Sequence, residues 1–246
     1  MDQQEWIAGR NAVAEALRGG RPANALYITQ ADAKGLGEVI ALAKTQGVAV
    51  KDAAREKLTQ LCGTERHQGV VLSVAARAYA ELEDLFAAAR ERGEAPFFVI
   101  CDEIEDPHNL GAIIRTAEAA GAHGVIVPKR RSAPLSQAVA KASAGAIEHL
   151  PVARVSNIVQ AMEEMKARGM WIYGADMQGE VYHAKKLDGP VALVIGSEGR
   201  GLGRLVKERC DGLLSLPMRG KIGSLNASVA AGILLYEMMR WRGSDG

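Results

Sequence analysis

Two apolar runs in the last third of the chain each stop at a loop of glycines and small polar residues. Leu193-Val194-Ile195 runs into Gly196-Ser197-Glu198-Gly199, and Leu213 to Leu216 runs into Pro217-Met218-Arg219-Gly220-Lys221-Ile222-Gly223-Ser224-Leu225-Asn226-Ala227-Ser228. Glycines there let backbone amides approach a ligand closely, so the pairing reads as a binding site. Arg115 is a further candidate: it stands among Ile113, Ile114 and Ala117 in an apolar helical pattern, and burying a guanidinium without an anion or carboxylate is costly.

The common glycine-rich loops do not fit. Ser197 follows Gly196 directly, which misplaces the serine for a nucleophile elbow. Gly199, Gly201 and Gly203 miss the dinucleotide spacing because Arg204 takes its sixth place, and a Walker loop is missing. Cys62, Cys101 and Cys210 are far apart, as are His67, His108, His123, His149 and His183. That scatter predicts free thiols and no metal site.

The elements that must position these loops follow from periodicity. Val191 to Ile195 is a continuous aliphatic run of the kind buried on both faces of a parallel sheet. From Ser224, a candidate N-cap, Leu225, Val229, Ile233 or Leu234 and Met238 recur at helical spacing. Ligands in open α/β sheets sit beyond the carboxyl ends of strands, where both loops would lie. Upstream, the patterns predict strand Phe97–Cys101, the acidic loop Asp102–Asp106, a helix from Asn109 with Gly121 just past its end, strand Val125–Val127, helices Leu135–Ala144 and Ile158–Arg168, strand Trp171–Ala175 and a turn over 177–180. Before them, helices over 9–18, 36–45 and 51–61 alternate with strands over 25–29, 48–50 and 69–75. The expected architecture is α/β, with a small unit over residues 1–75, a linker helix within 76–94 whose apolar stripe is Leu82, Leu85, Phe86 and Ala89, and a mostly parallel sheet over 95–246.

Composition bounds the function. The 246 residues are 48% hydrophobic, enough for one large core or two modest ones. No apolar run is long enough for a membrane span and the start is acidic and polar, so the expectation is a cytoplasmic protein without signal peptide or membrane contact. Net charge is +1; residues 1–94 carry 12 basic and 13 acidic side chains, and 95–246 carry 18 and 16. Any nucleic-acid footprint must therefore be local. Lys129-Arg130-Arg131 is the best candidate, followed by Arg219 and Lys221.

Gly196-Ser197-Glu198-Gly199 and Ser224-Leu225-Asn226-Ala227-Ser228-Val229-Ala230 resemble the second and third motifs of the SpoU (TrmH-like) ribose methyltransferases, in the SPOUT superfamily. Asp106-Pro107-His108-Asn109-Leu110-Gly111-Ala112-Ile113-Ile114-Arg115-Thr116 resembles the first. The resemblance is strong over about 95–242 and looser over 1–75, through Gly9-Arg10-Asn11-Ala12-Val13 and His67-Gln68-Gly69-Val70. Within the family the chain is most similar to bacterial enzymes that methylate a guanosine of 23S ribosomal RNA.

The resemblance implies transfer of the methyl of S-adenosylmethionine to a ribose 2′-hydroxyl, no metal, a trefoil knot around 191–240, a homodimer and an RNA-binding role for residues 1–75. It further implies a catalytic set of Asn109, Arg115, Glu198, Ser224 and Asn226, and a cofactor set of Ile195, Gly196, Leu216, Met218, Ser224 and Leu225. RNA contacts would come from Arg115, Lys129, Arg130 and Arg131. Arg115 has two available roles, phosphate clamp or base. The second requires bringing a strongly basic guanidinium down to near neutrality, at a cost of about 8–9 kcal/mol, so the clamp ranks first. The alternatives are a transfer-RNA enzyme of the same family and a noncatalytic RNA-binding or ribosome-assembly factor.

Overall fold

A computed structural model describes residues 4–75, 78–184 and 186–242, and the chain divides into two compact units between Ala78 and Tyr79. In the first, β1 (Gln4–Ala8), β2 (Ala23–Ile28), β3 (Ala49–Asp52) and β4 (Val70–Ala75) form a sheet of order β1-β4-β2-β3. Strand β4 runs antiparallel to both neighbours, and β2 pairs parallel with β3. Alternate residues Val70, Leu72 and Val74 face a core shared with Val13 and Leu17 of α1 (Arg10–Arg18) and Val39 and Ala43 of α2 (Gly37–Thr45). A third helix, α3 (Arg55–Cys62), buries Leu58.

The second unit is built on six parallel strands of order β10-β8-β9-β5-β6-β7. These are β5 (Phe97–Asp102), β6 (Gly124–Pro128), β7 (Val152–Val155), β8 (Trp171–Val181), β9 (Val191–Gly196) and β10 (Gly212–Ser215). Every residue of β5 is buried. Because side chains alternate along a strand, Phe97, Val99 and Cys101 join the core beneath α5 (Pro107–Ala119) and α9 (Ala227–Arg242). Phe98 and Ile100 join the opposite core with Leu85, Phe86 and Met162. The latter three come from α4 (Leu82–Arg92) and α7 (Ile158–Ala167). The short helices α6 (Gln137–Ala142) and α8 (Arg204–Arg209) complete the layers.

Some stretches match expectation and others depart from it. The helix expected as a linker within 76–94 is α4, and its stripe of Leu82, Leu85, Phe86 and Ala89 is buried; the first three pack into the second unit's core. Residues 76 and 77 lie outside the described residues. The stretch over 177–180, expected as a turn, belongs to β8, whose pairing with β10 jumps from Leu213↔Gly174 to Leu214↔Glu180. Gly179 makes that approach possible, since a Cβ there would lie 2.4 Å from the Leu213 backbone. Strands β1 and β7 were not expected at all.

The centre of the sheet sets up the site. Asp102 and Gly196 are register partners at the carboxyl ends of β5 and β9, so the loops after them leave side by side. Pro107 opens α5 and Asp106 caps it, its carboxylate accepting from the backbone N–H of His108 (3.3 Å) and Asn109 (3.0 Å).

Candidate active site

The loop after β9 closes on itself. Ser197 N donates to Gly201 O (3.1 Å) and Gly201 N to Ser197 O (2.9 Å), with Gly199 and Gly201 at φ 83° and 66°. A Cβ on Gly196 would lie 2.3 Å from the Gly201 backbone, so this glycine is required by the loop's own return. Asp102, a residue that the sequence reading did not single out for the site, ties the loop to β5 by accepting from Gly203 N at 2.7 Å. Burial raises its carboxyl above the ordinary aspartate value, against the Gly203 bond that lowers it.

This hairpin presents Glu198 to two residues far away in the chain. Asn109 Nδ2, from the first turn of α5, donates to Glu198 Oε1 at 3.1 Å. Asn226 Nδ2 donates to the same oxygen and to Asn109 Oδ1, the latter at 2.9 Å. The backbone N–H of Ala227 also points at Glu198 Oε1, at 3.4 Å. Asn226 Oδ1 meanwhile accepts from Ser228 N (3.0 Å), Val229 N (3.2 Å) and Ser228 Oγ (2.6 Å). Asn226 is thus both the cap of α9 and one corner of the cluster.

That geometry corrects two sequence expectations. Ser224 does not cap α9, which begins at Ala227; it is exposed in the preceding loop, with no hydrogen bond among the described residues. Arg115 is exposed rather than buried in an apolar face, and its guanidinium makes no hydrogen bond or ion pair among the described residues. At about 100° per residue, the arc buried by Leu110, Ile113, Ile114 and Ala117 leaves Arg115 on the far side.

The other expected residues surround the cluster unevenly. Ile195 is buried, Gly196 and Leu216 are half-buried, and Met218 and Leu225 are exposed. All of 217–226 is exposed, as a segment that leaves β10 at the sheet edge and reaches Glu198 and Asn109 at its centre. Ser197 Oγ is buried without a hydrogen-bond partner. Lys129 and Arg130 are exposed and unpaired among the described residues, whereas Arg131 pairs with Glu103 at 2.7 Å. Cys101, next to Asp102, is pushed up to about 12 by burial, which keeps it a thiol rather than a nucleophile. Among the described residues no group of three or more His, Cys, Asp or Glu is placed to hold a metal ion, and no helix is long and apolar enough to cross a membrane.

Residues 96–236 match the SpoU rRNA Methylase family, and residues 6–80 match the family described as RNA 2'-O ribose methyltransferase substrate binding. A putative TrmH family tRNA/rRNA methyltransferase of Bacillus subtilis, YacO, is 54% identical over 99% of this chain and 98% of its own. The AdoMet-bound rRNA methyltransferase from Sinorhizobium meliloti superposes with a TM-score of 0.78 at 27% identity, over 96% of this chain and 87% of that one. The A. aeolicus TrmH/SpoU tRNA modifying enzyme gives a TM-score of 0.57 at 29% identity, over 62% of this chain and 78% of that one.

Proposed function

The chain belongs to the SpoU rRNA Methylase family, and from that premise we propose that it transfers the methyl of S-adenosylmethionine to the 2′-hydroxyl of a guanosine ribose in 23S ribosomal RNA. One observation carries the reading: Asn109, Glu198 and Asn226, drawn from three separate sequence motifs, share a single hydrogen-bonded cluster at the carboxyl ends of β5 and β9. The preference for ribosomal over transfer RNA is supported by coverage, since the S. meliloti rRNA methyltransferase matches 96% of the chain and the A. aeolicus tRNA modifying enzyme 62%.

The residues present fit the cofactor. The buried, unpartnered Ser197 Oγ beside Gly196 is a polar atom in need of a partner. Ile195, Leu216, Met218 and Leu225 are the apolar residues on the two loops, and apolar side chains beside free main-chain groups suit a purine. Ile195, Gly196, Leu216, Met218, Ser224 and Leu225 would hold S-adenosylmethionine, which when bound supplies a methyl group already activated on a sulfonium. The chain's contribution is then positional. Glu198 fixes Asn109 and Asn226, and these three with Ser224 orient the ribose. Arg115, exposed on α5, grips a phosphate through its planar fork.

The same proposal includes a cytoplasmic homodimer, a trefoil knot over 191–240 and an RNA-holding role for residues 1–75. The dimer is supported by an exposed apolar stripe along α9, formed by Val229, Ile233, Tyr236 and Met239. The function is tested by incubating purified protein with labelled S-adenosylmethionine and unmodified ribosomal or transfer RNA, then mapping the label. Label on a 23S guanosine 2′-oxygen is expected. Label confined to transfer RNA would move the substrate, and label in neither RNA would leave a noncatalytic RNA-binding factor.

A further inference from the structure

At the mouth of the site two residues other than glycine adopt left-handed backbone conformations, Glu103 at φ 57° and Arg131 at φ 55°. Such residues are uncommon and persist where the surroundings over-determine them, often at functional positions. Here they face each other. Glu103 Oε1 lies 2.7 Å from Arg131 Nη1, and Glu103 Oε2 lies 3.7 Å from Arg200 Nη1. The loops are held together by Ala133 N donating to Ile104 O at 2.9 Å.

Three neighbouring strands contribute one residue each. Glu103 directly follows β5, Arg131 lies in the loop after β6, and Arg200 lies in the hairpin after β9, two residues beyond Glu198. The Glu103 side chain is 27% exposed, while those of Arg131 and Arg200 are 65% and 71% exposed. The carboxylate is thus the less exposed partner of two largely exposed arginine side chains. Without it, the two cations would repel each other and separate.

We propose that Glu103 is a positioning residue that gathers Arg131 and Arg200 into one clamp for a single phosphate of the RNA strand, beside the target ribose. The inference rests on the RNA methyltransferase reading and adds Arg200 and Glu103 to it. An exposed ion pair by itself contributes little to stability, so the arrangement is better explained by what it presents than by what it holds together. Arginine forks match phosphate geometry in pairs of parallel hydrogen bonds.

The sign of one substitution decides. Removing a negative charge from a nucleic-acid-binding surface should, on charge alone, tighten RNA binding and steepen its salt dependence. A positioning carboxylate requires the opposite. With an unmodified 23S rRNA transcript and the full chain, Glu103→Gln is expected to raise the KM for RNA about tenfold without moving the KM for S-adenosylmethionine. Arg131→Ala and Arg200→Ala should each lower the slope of log K against log salt by about one, and Arg200→Ala should add little once Glu103→Gln is present. RNA binding by Glu103→Gln that is unchanged or tighter, or full additivity of the two substitutions, overturns the proposal. If Glu103→Gln fails to melt like the wild type, the Arg131→Ala/Arg200→Ala cycle decides instead: coupling sustains the clamp and additivity ends it. Wild-type protein that labels no RNA refutes the methyltransferase reading itself, whereas labelling combined with the wrong sign for Glu103→Gln refutes only the clamp.

Discussion

Asn226 shows how one side chain serves two structures. Its oxygen caps α9 and its nitrogen holds Glu198 and Asn109, so the two tasks separate by substitution. Asn226→Ser should keep a capping oxygen but lose the reach to Glu198. Methyl transfer is expected to fall about 100-fold, the scale of a misplaced reactant, with unfolding by urea nearly unchanged. Asn226→Ala should lose the same activity and also about 1 kcal/mol of stability. Glu198→Ala should lower single-turnover transfer more than cofactor affinity by calorimetry, because Glu198 orients the two asparagines; a loss confined to affinity would make it a binding residue. At this scale the sequence was legible in identity more than in role. The motif pointed to Asn109, Glu198 and Asn226, which the fold does bring together. Ser224 and Asn226 are both good caps, however, and only tertiary geometry chooses between them. Arg115 was misread because adjacency to Ile113 and Ile114 says nothing about phase around the helix.

Elements were legible where burial is two-sided. Strands β5 and β9 are continuous apolar runs with both faces covered, and their sequences admit few other states. Edge strands are harder: β1 is Gln-Glu-Trp-Ile-Ala and β7 is only Val-Ala-Arg-Val, each last in its sheet, with only an isolated bridge from Ala80 to Ala153 on the outer side of β7. Short, half-polar segments carry little periodicity, and their pairing is decided by the partner strand. Helix α5 shows how packing constrains the site. A Cβ on Gly111 would lie 2.4 Å from Ala142 Cβ and 2.8 Å from the Val139 carbonyl oxygen, so α5 and α6 meet backbone to backbone. Gly111→Ala is expected to cost about 1–3 kcal/mol, read as a lower melting temperature. It should also reduce transfer, since the same helix sets Asn109. Unchanged melting would mean that α6 yields freely.

For the molecule as a whole, the end of the sheet opposite the site holds a group that contributes to acid stability. His123 is buried, with Nδ1 accepting from Phe97 N at 3.1 Å and Nε2 lying 3.1 Å from Glu94 Oε2. Burial, aided by Arg92 and Arg242 and opposed by Glu94, pushes it down to about 4 from an ordinary 6.5. Between those values the unfolded chain binds a proton that the folded chain refuses. Its contribution is therefore complete above about 6.5 and drains away as the pH falls toward 4, by roughly 3 kcal/mol. Urea unfolding from pH 8 to pH 4 should show that decline, and His123→Gln should flatten it; equal slopes would clear His123 of the effect. Arg242 at the end of α9 anchors the same region by donating to the backbone oxygens of Gly189 and Ala95. The helix that Arg242 closes is opened by Asn226, and all six strands precede that asparagine in the chain. During synthesis, then, a nascent polypeptide can carry every strand of its sheet and still lack a working centre. On the proposed function competence arrives late, and products of premature termination before residue 226 are expected to stay inert toward RNA methylation however well their sheets assemble.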